Sequence, residues 1–85
     1  MGLASDPSVQ QRCWSFGAVV VARRRSLGLT QAGLAERVGC DSRSISRLEN
    51  AVHSPSLDRV FVLADALGVS LAELFDDFDQ AEAVF

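Results

Sequence analysis

Residues 30–50, TQAGLAERVGCDSRSISRLEN, constrain this chain more than any other stretch. They read as two short helices joined by a tight turn. Thr30 stands where its hydroxyl can cap the first helix, and Gln31 opens it. Leu34, Ala35 and Val38 fall on one face at helical spacing. Gly39 follows the last apolar residue, where a left-handed residue commonly ends a helix. Asp41 is placed to cap the second helix, residues 42–50.

That second helix has two unlike sides. At about 100° per residue, Ser42, Ser46, Asn50, Arg43 and Arg47 fill one arc of about 140°. Ile45 and Leu48 lie opposite, with Glu49 at the inner edge. Two aliphatic anchors thus hold a helix that shows water two serines, an asparagine and two arginines. Such side chains suit hydrogen bonding to base edges and phosphates. An ordinary solvated face has the same composition, and it is the capped helix and glycine turn in front that favour the first reading.

The flanking sequence supplies helices to pack against this pair. Asp6-Pro7 is a start signal, an N-cap with proline at the first helical position. From there Val9, Cys13, Phe16, Val20, Arg24 and Leu27 share a narrow arc, which predicts a long first helix over residues 7–26, ended by Gly28. Arg24 sits within that apolar stripe, and a buried arginine requires a partner. Glu49 is the candidate. Trp14 and Val21 make a second apolar face, expected to cap the core, with a subunit contact as the alternative. Residues 51–55 are a loop holding the chain's one histidine, His53, expected to be solvated. Ser56 caps a helix over residues 57–67, whose core face is Val60, Leu63, Ala64 and Leu67; Phe61 and Val62 widen its apolar surface. Ser70 and Glu73 form a capping box for a short fifth helix with Leu71, Leu74 and Phe75. The division expected is a mobile N-terminus over 1–6, a domain over 7–78, and an acidic, sparsely apolar tail over 79–85. The fold class is all-α, a compact bundle of five helices.

Gly28-Leu29-Thr30-Gln31, Leu34-Ala35, Val38-Gly39, the run from Ile45 through Arg47 to Asn50, Pro55-Ser56-Leu57 and Leu67-Gly68-Val69-Ser70 together resemble the phage-repressor and Cro family (XRE-type) of helix-turn-helix DNA-binding domains. The likeness covers residues 20–75 with its elements colinear and correctly spaced. The extended first helix is loosely similar to that of restriction–modification controller proteins. The resemblance implies a homodimeric transcription regulator with helix 42–50 in the major groove of double-stranded DNA. It implies base contacts from Ser42, Arg43, Ser46 and Arg47. It implies phosphate contacts from Gln31, Ser44 and Asn50, with Arg23 and Arg25 adding to them, and an internal ion pair between Arg24 and Glu49. It also points to a dimer interface near the C-terminus, here Phe61, Leu71, Phe75 and Phe78. Ala32 and Gly33 depart from the acidic or polar residues usual in the family, and Gly33 should cost about 1 kcal/mol relative to alanine.

Composition narrows the alternatives. A chain of 85 residues makes one domain with one modest core. Apolar residues are 48 %, a surplus that suggests cover by a second copy. No run approaches the roughly 18 apolar residues of a membrane span, and no signal peptide is evident, so a cytoplasmic protein is expected. Cys13 and Cys40 make neither a disulfide scaffold nor, with His53, a zinc set; two buried reduced thiols are expected. Net charge is −3, yet residues 1–50 hold seven arginines against four acids, +3, while residues 51–85 hold one arginine against seven acids, −6. A basic half before an acidic half fits a nucleic-acid partner, and the acidic half admits RNA polymerase as another. The rival reading is a protein–protein module, antitoxin-like or an adaptor, that keeps the fold without using DNA. Catalysis is not expected, since no nucleophile or acid–base pair accompanies His53. Neither a metal, a cofactor nor a small-molecule ligand is expected.

Overall fold

The computed structural model describes residues 7–84, which form α1 (Pro7–Ser26), α2 (Gln31–Val38), α3 (Ser42–Glu49), α4 (Leu57–Leu67) and α5 (Leu71–Val84), with no strand among them. The expected N-cap at Asp6 and the expected mobile segment 1–6 lie outside the described residues. The helix ends are set by short-range chemistry. Thr30 Oγ1 accepts from Gly33 N at 3.0 Å, Asp41 Oδ1 from Ser44 N at 2.8 Å, and Ser56 Oγ from Arg59 N at 3.1 Å. Ser70 and Glu73 cap reciprocally at 3.0 and 3.1 Å. Between α2 and α3 the chain must reverse within three residues, and Gly39 does so at φ 87°, its N–H returning to Ala35 O at 2.8 Å.

Each helix sends aliphatic side chains into one core. Val20 of α1, Leu34 of α2, Ile45 of α3, Leu63 of α4 and Leu74 of α5 are almost wholly buried. Gly33 gains a partial explanation here. A Cβ at that position would lie 3.3 Å from Thr30 Oγ1 and 3.4 Å from Leu29 Cδ2, so the cap and its neighbour crowd the site.

Four expectations are corrected. Trp14 does not cap the core; it is 58 % exposed. The second buried flank of α1 is the opposite one, where Ser15 and Val19 face α5. Leu27, the last member of the stripe, is exposed because α1 ends at Ser26 and the chain turns there. The fifth helix is not short: it has 14 residues and absorbs most of the expected tail. Leu74, Asp77, Phe78 and Ala81 recur at helical spacing, and the last two pack against the core. Cys13 and Cys40 are free thiols, half-buried rather than fully buried. None of the described helices is long and apolar enough to cross a membrane.

Candidate nucleic-acid interface

α3 is anchored by Ile45 and Leu48, both buried. With those two fixed, the helix turns Ser42, Arg43, Arg47 and Asn50 to solvent, with Ser46 half-exposed between them. Arg43 and Arg47 make no hydrogen bond and no ion pair among the described residues, so both guanidinium groups are uncommitted. Asp41, at the helix start, accepts from the backbone N–H and the hydroxyl of Ser44, each at 2.8 Å. These bonds, then the fields of Arg43 and Arg47, hold its carboxyl below the usual carboxylate range.

Behind α3 lies a buried polar cluster that locks the motif to α1. Arg24, 8 % exposed, donates from Nε to Glu49 Oε2 at 2.7 Å and from Nη2 to Glu49 Oε1 at 3.1 Å. Its Nη1 donates to Leu29 O at 2.9 Å, and Gln31 Nε2 donates to Glu49 Oε1 at 2.9 Å. The bond to Glu49 raises the Arg24 pKa above its already high ordinary value. One guanidinium therefore ties the end of α1, the entry to α2 and the end of α3 together, the planar fork matching the carboxylate.

Of the residues expected at phosphates, all but Arg25 are placed less freely than those expected at bases. Arg25 is exposed and has no hydrogen bond or ion pair among the described residues. Gln31 is held by Glu49. Ser44 donates to Asp41. Asn50 turns its Nδ2 back to Ser46 O at 2.8 Å, ending its own helix. Arg23 points the other way, pairing with Asp77 of α5 through Nε at 2.5 Å and Nη2 at 3.1 Å. That bond keeps Arg23 protonated more firmly than usual. In the sequence Asp77 stands between Asp76 and Asp79 and looks like a solvated acid; the helical spacing past Leu74 is the signal that would have placed it against α1.

One residue passed over in the sequence belongs near this surface. Arg59 lines a groove of about 200 Å3 with Ser44, His53, Ser54 and Ser56, beside the exit of α3. Its position after the Ser56 cap puts it in the first turn of α4. The expected dimer residues divide. Phe61, Leu71 and Phe75 are exposed, whereas Phe78 is half-buried against the core. His53 is exposed in its loop, and among the described residues no cluster of metal-ligating side chains forms.

Comparison with known proteins agrees with this geometry. The helix-turn-helix family model matches residues 21–74. An uncharacterized HTH-type transcriptional regulator of Methanothermobacter thermautotrophicus is 51 % identical over 45 residues, 53 % of this chain and 65 % of that protein, so the chain spans a little under two thirds of that relative. Another, y4dJ of Sinorhizobium fredii, is 39 % identical over 57 residues, 67 % of this chain and 74 % of the relative. Among solved structures, the clp gene regulator ClgR of Corynebacterium glutamicum superposes with a TM-score of 0.81 at 25 % identity, covering 86 % of this chain and 78 % of that one. The restriction–modification controller protein C.Esp1396I superposes at 0.82 with 20 % identity, covering 87 % and 96 %, a likeness of fold. With α2 and α3 forming the motif and the match extending through α4, the chain belongs to the XRE-type helix-turn-helix family, that of the phage repressors and Cro.

Proposed function

We propose that this chain is a sequence-specific regulator of transcription that binds double-stranded DNA as a homodimer, with α3 in the major groove. The observation that carries the reading is the pair of uncommitted guanidinium groups, Arg43 and Arg47, on the open face of a helix whose other face is buried. They are the base readers, each suited to the two acceptors of guanine, with discrimination of about 1–3 kcal/mol per good bidentate contact. Ser42 and Ser46 make shorter contacts beside them. Arg25, Gln31 and Ser44 meet phosphates. Gln31 is pre-oriented for this by Glu49 and keeps its second N–H free, whereas Ser44, whose one hydroxyl proton goes to Asp41, must turn that proton outward to reach a phosphate. Arg23 leaves that set, because Asp77 holds it on the α5 side, and Asn50 serves chiefly as the cap of α3.

An eight-residue recognition helix spans few base pairs, so two copies are needed for specificity. The exposed apolar residues Phe61, Leu71 and Phe75 on α4 and α5 supply a surface for pairing. A twofold dimer sets two α3 helices about 34 Å apart, facing successive turns of the major groove. Selection of bound duplexes from a random library tests the reading. A palindrome with half-sites about 10 base pairs apart is the expected product. Recovery of no enriched sequence, with no salt-sensitive binding to mixed duplex either, would instead favour the protein–protein module.

A further inference from the structure

The exit of α3 is held from an unexpected direction. After Asn50 the chain closes the helix with two reversed bonds, Val52 N to Arg47 O at 3.0 Å and Ala51 N to Leu48 O at 3.1 Å. This is the arrangement that normally places glycine at the left-handed position. Here Ala51 occupies it at φ 56°, with its side chain buried to 4 % exposure. A non-glycine residue in this region is strained and persists only where its surroundings hold it.

The surroundings in question are the first turns of α1. Gln10 Nε2 donates to Ala51 O at 3.0 Å. Cys13 Sγ and Ser54 Oγ lie 3.3 Å apart. At Gly17 the α1 backbone runs directly over the last turn of α3, where a Cβ would lie 2.6 Å from Glu49 O and 3.0 Å from Leu48 O. Residues 10, 13 and 17 fall on one side of α1 in successive turns. All three precede residue 21, where the family match begins.

We propose that the N-terminal turns of α1 are a brace that fixes the exit of the recognition helix, with Gln10 as its positioning residue. The brace acts on α3 and on the loop carrying His53 and Ser54, so it sharpens the discrimination that Arg43 and Arg47 make; this part rests on the DNA-binding reading above.

The test uses the full chain with Gln10→Met, which keeps the length and helical character of the side chain but removes the donor. Gln10→Lys restores an N–H donor. Two quantities are read: amide hydrogen exchange at Val52 with Leu63 as core reference, and the ratio of affinities for a library-selected duplex and a mixed-sequence duplex of equal length. Gln10→Met should quicken exchange at Val52 and lower the affinity ratio, each by about two- to tenfold, the range for one net hydrogen bond. Leu63 should quicken no more than Val52 does, and Gln10→Lys should recover both. Unaltered Val52 exchange in Gln10→Met would overturn the brace. Quickened exchange with an unaltered ratio would overturn its part in reading sequence. If the wild-type chain bound no duplex, the DNA reading would fail, while exchange would still decide whether the brace exists.

Discussion

Replacing Arg24 by methionine should destabilise the domain by about 3 kcal/mol, and the structure shows why. The substitution keeps the apolar stem of the side chain and removes three hydrogen bonds, two to Glu49 and one to Leu29 O. Glu49 is left with its side chain 4 % exposed and only Gln31 to satisfy it. Removing one partner of a buried pair costs about 3–5 kcal/mol, most of it from the stranded charge. The Arg24 side chain retains about a tenth of its exposure, so water can reach the edge of the site, which sets the lower end of that range. For a domain of this size each kcal/mol moves the melting temperature by about 4–8 °C, so a fall of about 12–24 °C is expected. Urea unfolding followed by circular dichroism gives the free energy directly. A double variant, Arg24→Met with Glu49→Leu, should recover much of the loss, because no charge remains unpaired. Wild-type stability of Arg24→Met combined with lost DNA binding would refute the argument and move Arg24 from the scaffold to the DNA-facing surface.

Three further outcomes follow from the same geometry. Arg43→Ala and Arg47→Ala should each relax base preference at one half-site position by about 1–3 kcal/mol, leaving the melting temperature within a degree or two; equal loss on every sequence would reassign that arginine to phosphate. Phe75→Asp places a charge in the exposed apolar patch of α4 and α5 and should weaken dimerisation and DNA affinity together, by sedimentation and gel shift; an unchanged sedimentation profile would move the interface elsewhere. Asp41 and Glu73 have carboxyls held below the usual range by hydrogen bonds from Ser44 and Ser70. Their contribution is therefore complete at neutral pH and is lost as pH falls from about 5 through the lowered folded-state values. Asp41→Asn with Glu73→Gln keeps both caps without titrating, so its melting temperature should fall less steeply below about pH 5; identical acid slopes would count against this account.

The parts of the fold legible in the sequence are those whose causes are local. Thr30, Asp41, Ser56 and the Ser70–Glu73 pair each satisfy donors within three residues, so the local order of residues locates the starts of α2 to α5. Arg24 was conspicuous for a related reason: one charge in an apolar stripe demands a partner, and few candidates face inward. Trp14 shows where this reasoning stops. A helical wheel gives two apolar flanks on α1 but does not say which one a later helix will cover, and α5 covers the flank of Ser15. The committed state of Arg23 was hidden likewise, since its partner Asp77 is 54 residues away and looks like an ordinary solvated acid.

That long-range pairing gives the charge asymmetry of the sequence a spatial meaning. α5 carries carboxylates to the side of α1 that faces away from the motif, where Asp77 holds Arg23, while Glu82 accepts from Ser15 and stands 3.8 Å from Arg12. Arg24 is neutralised inside the scaffold, and Arg37 donates to Ala66 O, joining α2 to α4. The guanidinium groups left without a hydrogen bond or ion pair among the described residues are those of Arg25, Arg43, Arg47 and Arg59. Two of them stand on α3, and Arg59 lines the groove at its exit. A net charge of −3 is thus no obstacle to a polyanionic partner, because the excess acid lies on the last helix while positive charge remains unspent around α3. Reversing the pairing tests the idea. Asp77→Asn should free Arg23 without adding positive charge near α3, so affinity for mixed-sequence duplex at low salt should rise by no more than about twofold. Arg25→Gln removes a charge that has no internal partner and should lower that affinity and flatten its salt dependence by about one unit of slope. If Asp77→Asn raised affinity as strongly as Arg25→Gln lowered it, the DNA surface would have to extend across α1 to α5, and the partition argued from these pairings would be wrong.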